Sequence, residues 1–131
     1  MGADAGGRPR KYGRARRKNG STRVPGRDEG RRLGSAELGE DLGTRATLVQ
    51  FSSAFCAPCR ATRRILGEVA GLVPGVAHVE VDAEARLDLV RALGILRTPT
   101  VLVLDADGRV VRRAAGQPRK ADVIAALGEA L

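Results

Sequence analysis

Cys56 and Cys59 are the only two cysteines in the chain, and Ala57 and Pro58 separate them. At the entrance of a helix this spacing places both sulfurs within one turn. Cys56 is then outermost and can meet an incoming disulfide. Cys59 lies one turn in and can attack the mixed disulfide, releasing the partner as a dithiol. The thiolate is the reactive form, and a free cysteine with a pKa of about 8.5 is mostly protonated at neutral pH. A helix N-terminus offers unpaired N–H groups and partial positive charge, and both favour the thiolate. Arg60, Arg63 and Arg64 add further positive charge.

Three other readings of the pair are open. As a structural staple it would close almost no loop and so constrain the unfolded chain little. As a zinc site it would need about four ligands, and His78 is the only histidine available to join the two cysteines. A buried, inert pair is the third reading, but it gives no reason for two cysteines at a helix entry.

The elements that would hold this pair follow from the hydrophobic pattern. Residues 46–51 (ATLVQF) form an apolar run of strand length. A helix is expected from Ala57 to Val73, with Pro58 in its first turn, where a missing N–H is no loss. Its apolar stripe reads as Ala61, Ile65, Val69 and Leu72, and Pro74-Gly75 stops it. Residues 76–82 (VAHVEVD) read as a second strand, parallel to the first through a right-handed crossover. A helix over 84–93 should bury Leu87 and Val90. Residues 100–104 and 109–114 flank Asp107-Gly108, a strong hairpin signal. A last helix starts near Pro118 and carries Ala121, Ile124, Ala125 and Leu131 at helical spacing. Upstream, residues 35–42 suggest a short helix with Ser35 as its N-cap. The order is that of an α/β domain, a central mixed sheet with helices on both faces.

With these elements in place, FCAPC (55–59) and TPT (98–100) resemble the thioredoxin family in motif, spacing and order, over residues 44–131. The resemblance implies a thioredoxin fold and protein-disulfide reductase activity. It implies Cys56 as nucleophile and Cys59 as resolving cysteine. Pro99 would be the cis-proline beside the site, since cis bonds are essentially a proline property; a trans proline at a strand edge is the alternative. Thr98 would pair its backbone with an extended substrate, Gly116 would line the groove, and Phe55 would replace the tryptophan usual before the first cysteine. No cofactor beyond the Cys56–Cys59 disulfide and no metal is implied.

The chain departs from the family pattern at three positions. Gln50 stands where the family has a buried acid, His78 where it has a nearby lysine, and Ala57 where glycine usually follows the first cysteine. The first two remove the ion pair that helps move the resolving cysteine's proton. His78 titrates in the range needed to take that proton; the other reading is a histidine packed in a strand.

Residues 1–32 hold eleven Lys/Arg against three acids, while the rest of the chain is balanced, so the net charge of +8 belongs to this segment. Rich in Gly, Arg and Pro, it is expected to be a disordered tail or linker, with the folded domain over 33–131. Arg greatly outnumbers Lys, which with the Ala and Gly excess suggests a GC-rich bacterial genome. A basic tail suits a solvated linker, an anionic membrane surface, or the flank of a membrane helix lost upstream. Nucleic acid is not an expected partner, because aromatic stacking platforms are missing. No run approaches the roughly 20 apolar residues of a membrane span, and no secretory signal is visible. The expected location is cytoplasmic, or extracytoplasmic and membrane-anchored if an upstream helix is missing. Expected partners are protein disulfides and a thioredoxin-reductase-like or membrane electron donor, with the chain a monomer. A thioredoxin fold used only for docking, addressed by the tail, is the competing class, and the intact cysteine pair argues against it.

Overall fold

The apolar run at Ala46 becomes the middle of the molecule. The computed structural model describes residues 31–131. Strand β1 (Ala46–Ser52) is buried at all seven positions. It pairs in parallel with β2 (Val76–Asp82) and antiparallel with β3 (Thr100–Asp105). Strand β4 (Val110–Ala115) pairs antiparallel with β3, giving the order β2-β1-β3-β4. Helices α1 (Ser35–Leu38), α2 (Ala57–Leu72), α3 (Leu87–Leu93) and α4 (Lys120–Ala130) complete the domain.

Alternation along β1 feeds two cores. Ala46 and Leu48 face α2 and α4, where Leu66, Val69, Val123 and Leu127 join Val101 and Val103. Val49 and Phe51 face the other way, against Leu38, Leu89, Leu93, Val79 and Leu102. The sheet is therefore mixed and covered on both faces. Period-two alternation also puts Gln50 on the α2 side, and parallel pairing sets Leu48 beside His78 and Gln50 beside Glu80.

Asp105 organises the hairpin turn. Its Oδ1 accepts from the N–H groups of Asp107 and Arg109, each at 2.9 Å. Gly108 adopts φ +82°, and a Cβ there would strike the Leu33 carbonyl. That close approach lets Leu33 N–H donate to Gly108 O and Val110 N–H donate to Arg31 O, both at 2.9 Å. The chain is thus already paired with the hairpin at Arg31 and Arg32. The expected disorder of residues 1–32 falls almost wholly outside the described residues.

Several sequence expectations shift. The helix expected over 35–42 ends at Leu38, because Gly39 turns left-handed, and its N-cap is Gly34, not Ser35. In α2 the buried stripe is Cys59, Thr62, Leu66 and Val69, while Leu72 is exposed. Thr62 looks polar in sequence, but its hydroxyl donates to the Pro58 carbonyl at 2.7 Å and so can be buried. In α3 Leu89 and Leu93 are buried, Val90 is partly buried and Leu87 is exposed. In α4 the buried residues are Val123, Leu127 and Ala130; Ala121, Ile124, Ala125 and Leu131 face out. The alanine-rich α4 supports more than one apolar face in sequence, and packing selects one.

Candidate active site

Cys56 is the N-cap of α2, with extended backbone at φ −111°, and its Sγ accepts the N–H of Cys59 at 3.2 Å. Pro58 sits in the first turn, as the sequence suggested. The two cysteines are joined as a disulfide with Cα atoms 5.2 Å apart. Their environments differ: Cys59 is 1% exposed, and Cys56 is only partly buried. Ala57 is exposed beside them. Phe55, just before Cys56, has φ +58° and is fully exposed, whereas Phe51 is fully buried. The active-site loop thus holds one aromatic ring out in solvent.

Facing the pair is the loop before β3. The Thr98–Pro99 bond is cis. The Thr98 carbonyl oxygen lies 4.0 Å from Cys56 Sγ. The Thr98 and Ser53 hydroxyls are hydrogen-bonded at 2.7 Å, tying this loop to the one that leads into Cys56. Gly116, at φ +88°, donates its N–H to the Pro99 carbonyl at 2.8 Å. Cys56, Thr98, Pro99 and Gly116 are therefore linked by contacts at one place, with Pro99 buried beneath, though they come from three separate segments.

Beneath the pair lies Gln50, fully buried. Its Nε2 donates to the Cys59 carbonyl at 2.8 Å and to Ser52 Oγ at 2.9 Å. Both amide hydrogens are then committed, so Oε1 must act as acceptor toward His78 Nε2, 3.0 Å away. This fixes the neutral imidazole with its proton on Nε2. Burial holds the His78 pKa below its usual value, against the opposing pull of Glu80. Glu80 in turn is paired in two-pronged fashion with Arg63, both contacts at 2.7 Å. Hydrogen bonding to Arg63 is the main reason its carboxyl titrates low.

Sequence reasoning missed Ser52, Ser53 and Glu80 as members of this setting, and read Arg63 as free positive charge near the cysteines where it is in fact paired with Glu80. The parallel register of β1 and β2 was the available signal for Glu80, since it falls beside Gln50. Among the described residues no group of three His, Cys, Asp or Glu could hold a metal ion.

Residues 35–129 match the family model described as Thioredoxin. The chain belongs to the thioredoxin family. A thioredoxin from Mycolicibacterium smegmatis is 32% identical over 91 residues, covering 67% of this chain and 80% of that protein. Thioredoxin H2-1 of rice (Oryza sativa subsp. japonica) is 30% identical over 73 residues, covering 56% of this chain and 52% of that protein. Among solved structures, a mutant thioredoxin of Halobacterium salinarum superposes with a TM-score of 0.61 at 20% identity, covering 66% of this chain and 75% of that one. The thioredoxin of Fasciola hepatica gives 0.60 at 21%, covering 68% and 84%. These two likenesses show the thioredoxin fold. With the family and the paired cysteines in hand, the chain is a thiol–disulfide oxidoreductase with disulfide-reductase activity. The family acts on protein disulfides, and the chemistry needs no cofactor beyond the cysteine pair. No helix among the described residues is long and apolar enough to cross a membrane.

Proposed function

We propose that the chain reduces protein disulfides by a two-step exchange in which Cys56 attacks and Cys59 resolves. The difference in exposure between the two sulfurs carries this reading, since only Cys56 presents surface to a partner. The Cys59 N–H and the α2 N-terminus favour a Cys56 thiolate. That thiolate attacks one sulfur of the substrate disulfide, forms a mixed disulfide and expels the other substrate sulfur as a thiolate. Cys59 then loses its proton and attacks Cys56 Sγ. The Cys56–Cys59 disulfide forms, the second substrate thiolate leaves, and two electrons have passed from the protein to its substrate. A two-electron dithiol donor, of the thioredoxin-reductase type, restores the dithiol.

Thr98, Pro99, Gly116 and Phe55 are the substrate-facing residues of this reading. Their convergence around Cys56 supports it, with the Thr98 carbonyl placed to accept from the backbone N–H of an extended partner. Gln50 and His78 are positioning residues. His78 offers Gln50 a proton and not a lone pair, so it does not stand as the base for Cys59. Water, or the departing substrate thiolate, takes that proton.

Pro58 between the cysteines resembles reducing family members, and a cytoplasmic setting would favour the same direction. The basic segment that precedes Arg31 would serve as a linker to the domain. The equilibrium potential of the Cys56–Cys59 couple tests the direction: a value of about −270 mV fits a reductase, and one of about −120 mV contradicts it.

A further inference from the structure

The reaction described above gives Arg97, beside the substrate-facing loop, no task. Arg97 immediately precedes Thr98. Its backbone is held in place because the Thr100 hydroxyl donates to the Arg97 carbonyl at 2.6 Å. Its side chain lies over Gly116: Nη2 is 3.5 Å from where a Cβ on that glycine would stand. Gly116 in turn is bonded to Pro99, next to Thr98. The exposed guanidinium therefore lies against Gly116, whose N–H is bonded to the cis-proline carbonyl.

Arg97 is exposed and makes no ion pair among the described residues. Other exposed arginines of the domain, such as Arg63, Arg112 and Arg119, do have carboxylate partners. Arg60, directly after Cys59, is exposed and equally without one among the described residues. A carboxylate also lies near the active-site loop, since Glu84 accepts the Ala54 N–H at 3.3 Å. Phe55 and Leu96, both almost wholly exposed, supply apolar surface next to Cys56 and next to Arg97.

We propose that Arg97 is a specificity-determining residue that selects protein disulfides whose attacked cysteine is flanked by a carboxylate. This rests on the reductase reading above. A partner segment laid along Thr98 and Gly116 must pass the guanidinium. A carboxylate there gains charge-assisted, two-pronged hydrogen bonds, a geometry that guanidinium matches and ammonium does not. A lysine at the same place meets like charge from Arg97.

The test uses the full chain and three disulfide-linked peptides that differ only in Glu, Gln or Lys beside the attacked cysteine. At low salt the wild type should reduce them in the order Glu, Gln, Lys. The Glu-to-Gln ratio of kcat/KM should be about three- to fivefold, the scale of an exposed ion pair. The ratio should fall toward one in 1 M NaCl, where the Debye length is about 3 Å. It should also fall toward one in Arg97→Gln and be partly kept in Arg97→Lys. Equal rates on the three peptides at low salt, or a preference that survives Arg97→Gln, would overturn this inference alone. Failure of the wild type to reduce any of the three would overturn the reductase reading and this inference with it.

Discussion

Gln50 accepts from His78 at 3.0 Å while both of its own amide hydrogens are spent on Ser52 and the Cys59 carbonyl. A neutral amide and a neutral imidazole thus stand under the cysteines, and the neighbouring carboxylate, Glu80, is engaged by Arg63. Gln50→Glu should replace two donated hydrogen bonds by a buried acid with one proton at most. The introduced carboxyl would have a folded-state pKa above its unfolded value of about 4.3. Its penalty is therefore smallest in acid and grows as pH rises past that value. Denaturant titrations should show a loss of about 1–3 kcal/mol at neutral pH, shrinking toward pH 4. The Cys59 pKa should also rise through like-charge repulsion, making resolution more pH-dependent. A loss that does not change with pH would mean that the introduced carboxyl reaches water.

His78 should behave as a positioning residue. In His78→Gln the resolving step, followed by rapid quench, should stay within about threefold of wild type from pH 6 to 8. A positioned general base would contribute about 10²–10⁴-fold, so accumulation of mixed disulfide on that scale would restore His78 as the base.

Stability should carry the same signature. The folded-state pKa of His78 lies below its ordinary 6.5 because burial disfavours the cation. Well above pH 6.5 neither folded nor unfolded chain is protonated there, and the residue contributes no pH dependence. As pH falls, the unfolded chain takes up the proton first, and stability drops. Glu80 works in a lower window: its depressed pKa stabilises the fold above about pH 4.5 and is lost in stronger acid. Melting temperature should fall as pH drops below about 6.5 in wild type, and this fall should be weaker in His78→Gln.

Strand positions and element order were legible in the sequence because each rested on a local signal. The run at Ala46, the Asp-Gly turn and Pro58 in a helical first turn each point one way. Side-chain faces were less legible. Thr62 is buried through a hydrogen bond to Pro58 that no hydropathy pattern contains, and the alanines of α4 leave its inward face to packing. At the site, the cysteines and the Thr98-Pro99 loop could be read from motif spacing. Gln50 and His78 could be placed there through the family resemblance, but their bonds to Ser52 and the neighbouring Glu80–Arg63 pair could not, since these depend on which β2 residues fall beside β1. Arg97 gave no signal, as its position over Gly116 arises only when the β4 end returns to the loop before β3.

The start of the folded unit is testable through Leu33, which is 1% exposed within the α1/α3 core. Leu33→Ala should destabilise the domain by about 2–5 kcal/mol. A chain beginning at Arg31 should keep its melting temperature within about 5 °C. One beginning at Ser35 should not, because it loses Leu33 and the bonds to Gly108 and Val110.

The division of labour between the two sulfurs is tested most directly by trapping. Cys56→Ser and Cys59→Ser are each mixed with a protein disulfide, quenched with acid, and the covalent adducts measured by intact mass. Cys59→Ser should accumulate a mixed disulfide through Cys56 near one equivalent, because attack proceeds and resolution cannot. Cys56→Ser should capture almost none, since Cys59 is buried in the first turn of α2. Equal capture by both variants, or capture by Cys56→Ser alone, would contradict the assignment of Cys56 as nucleophile.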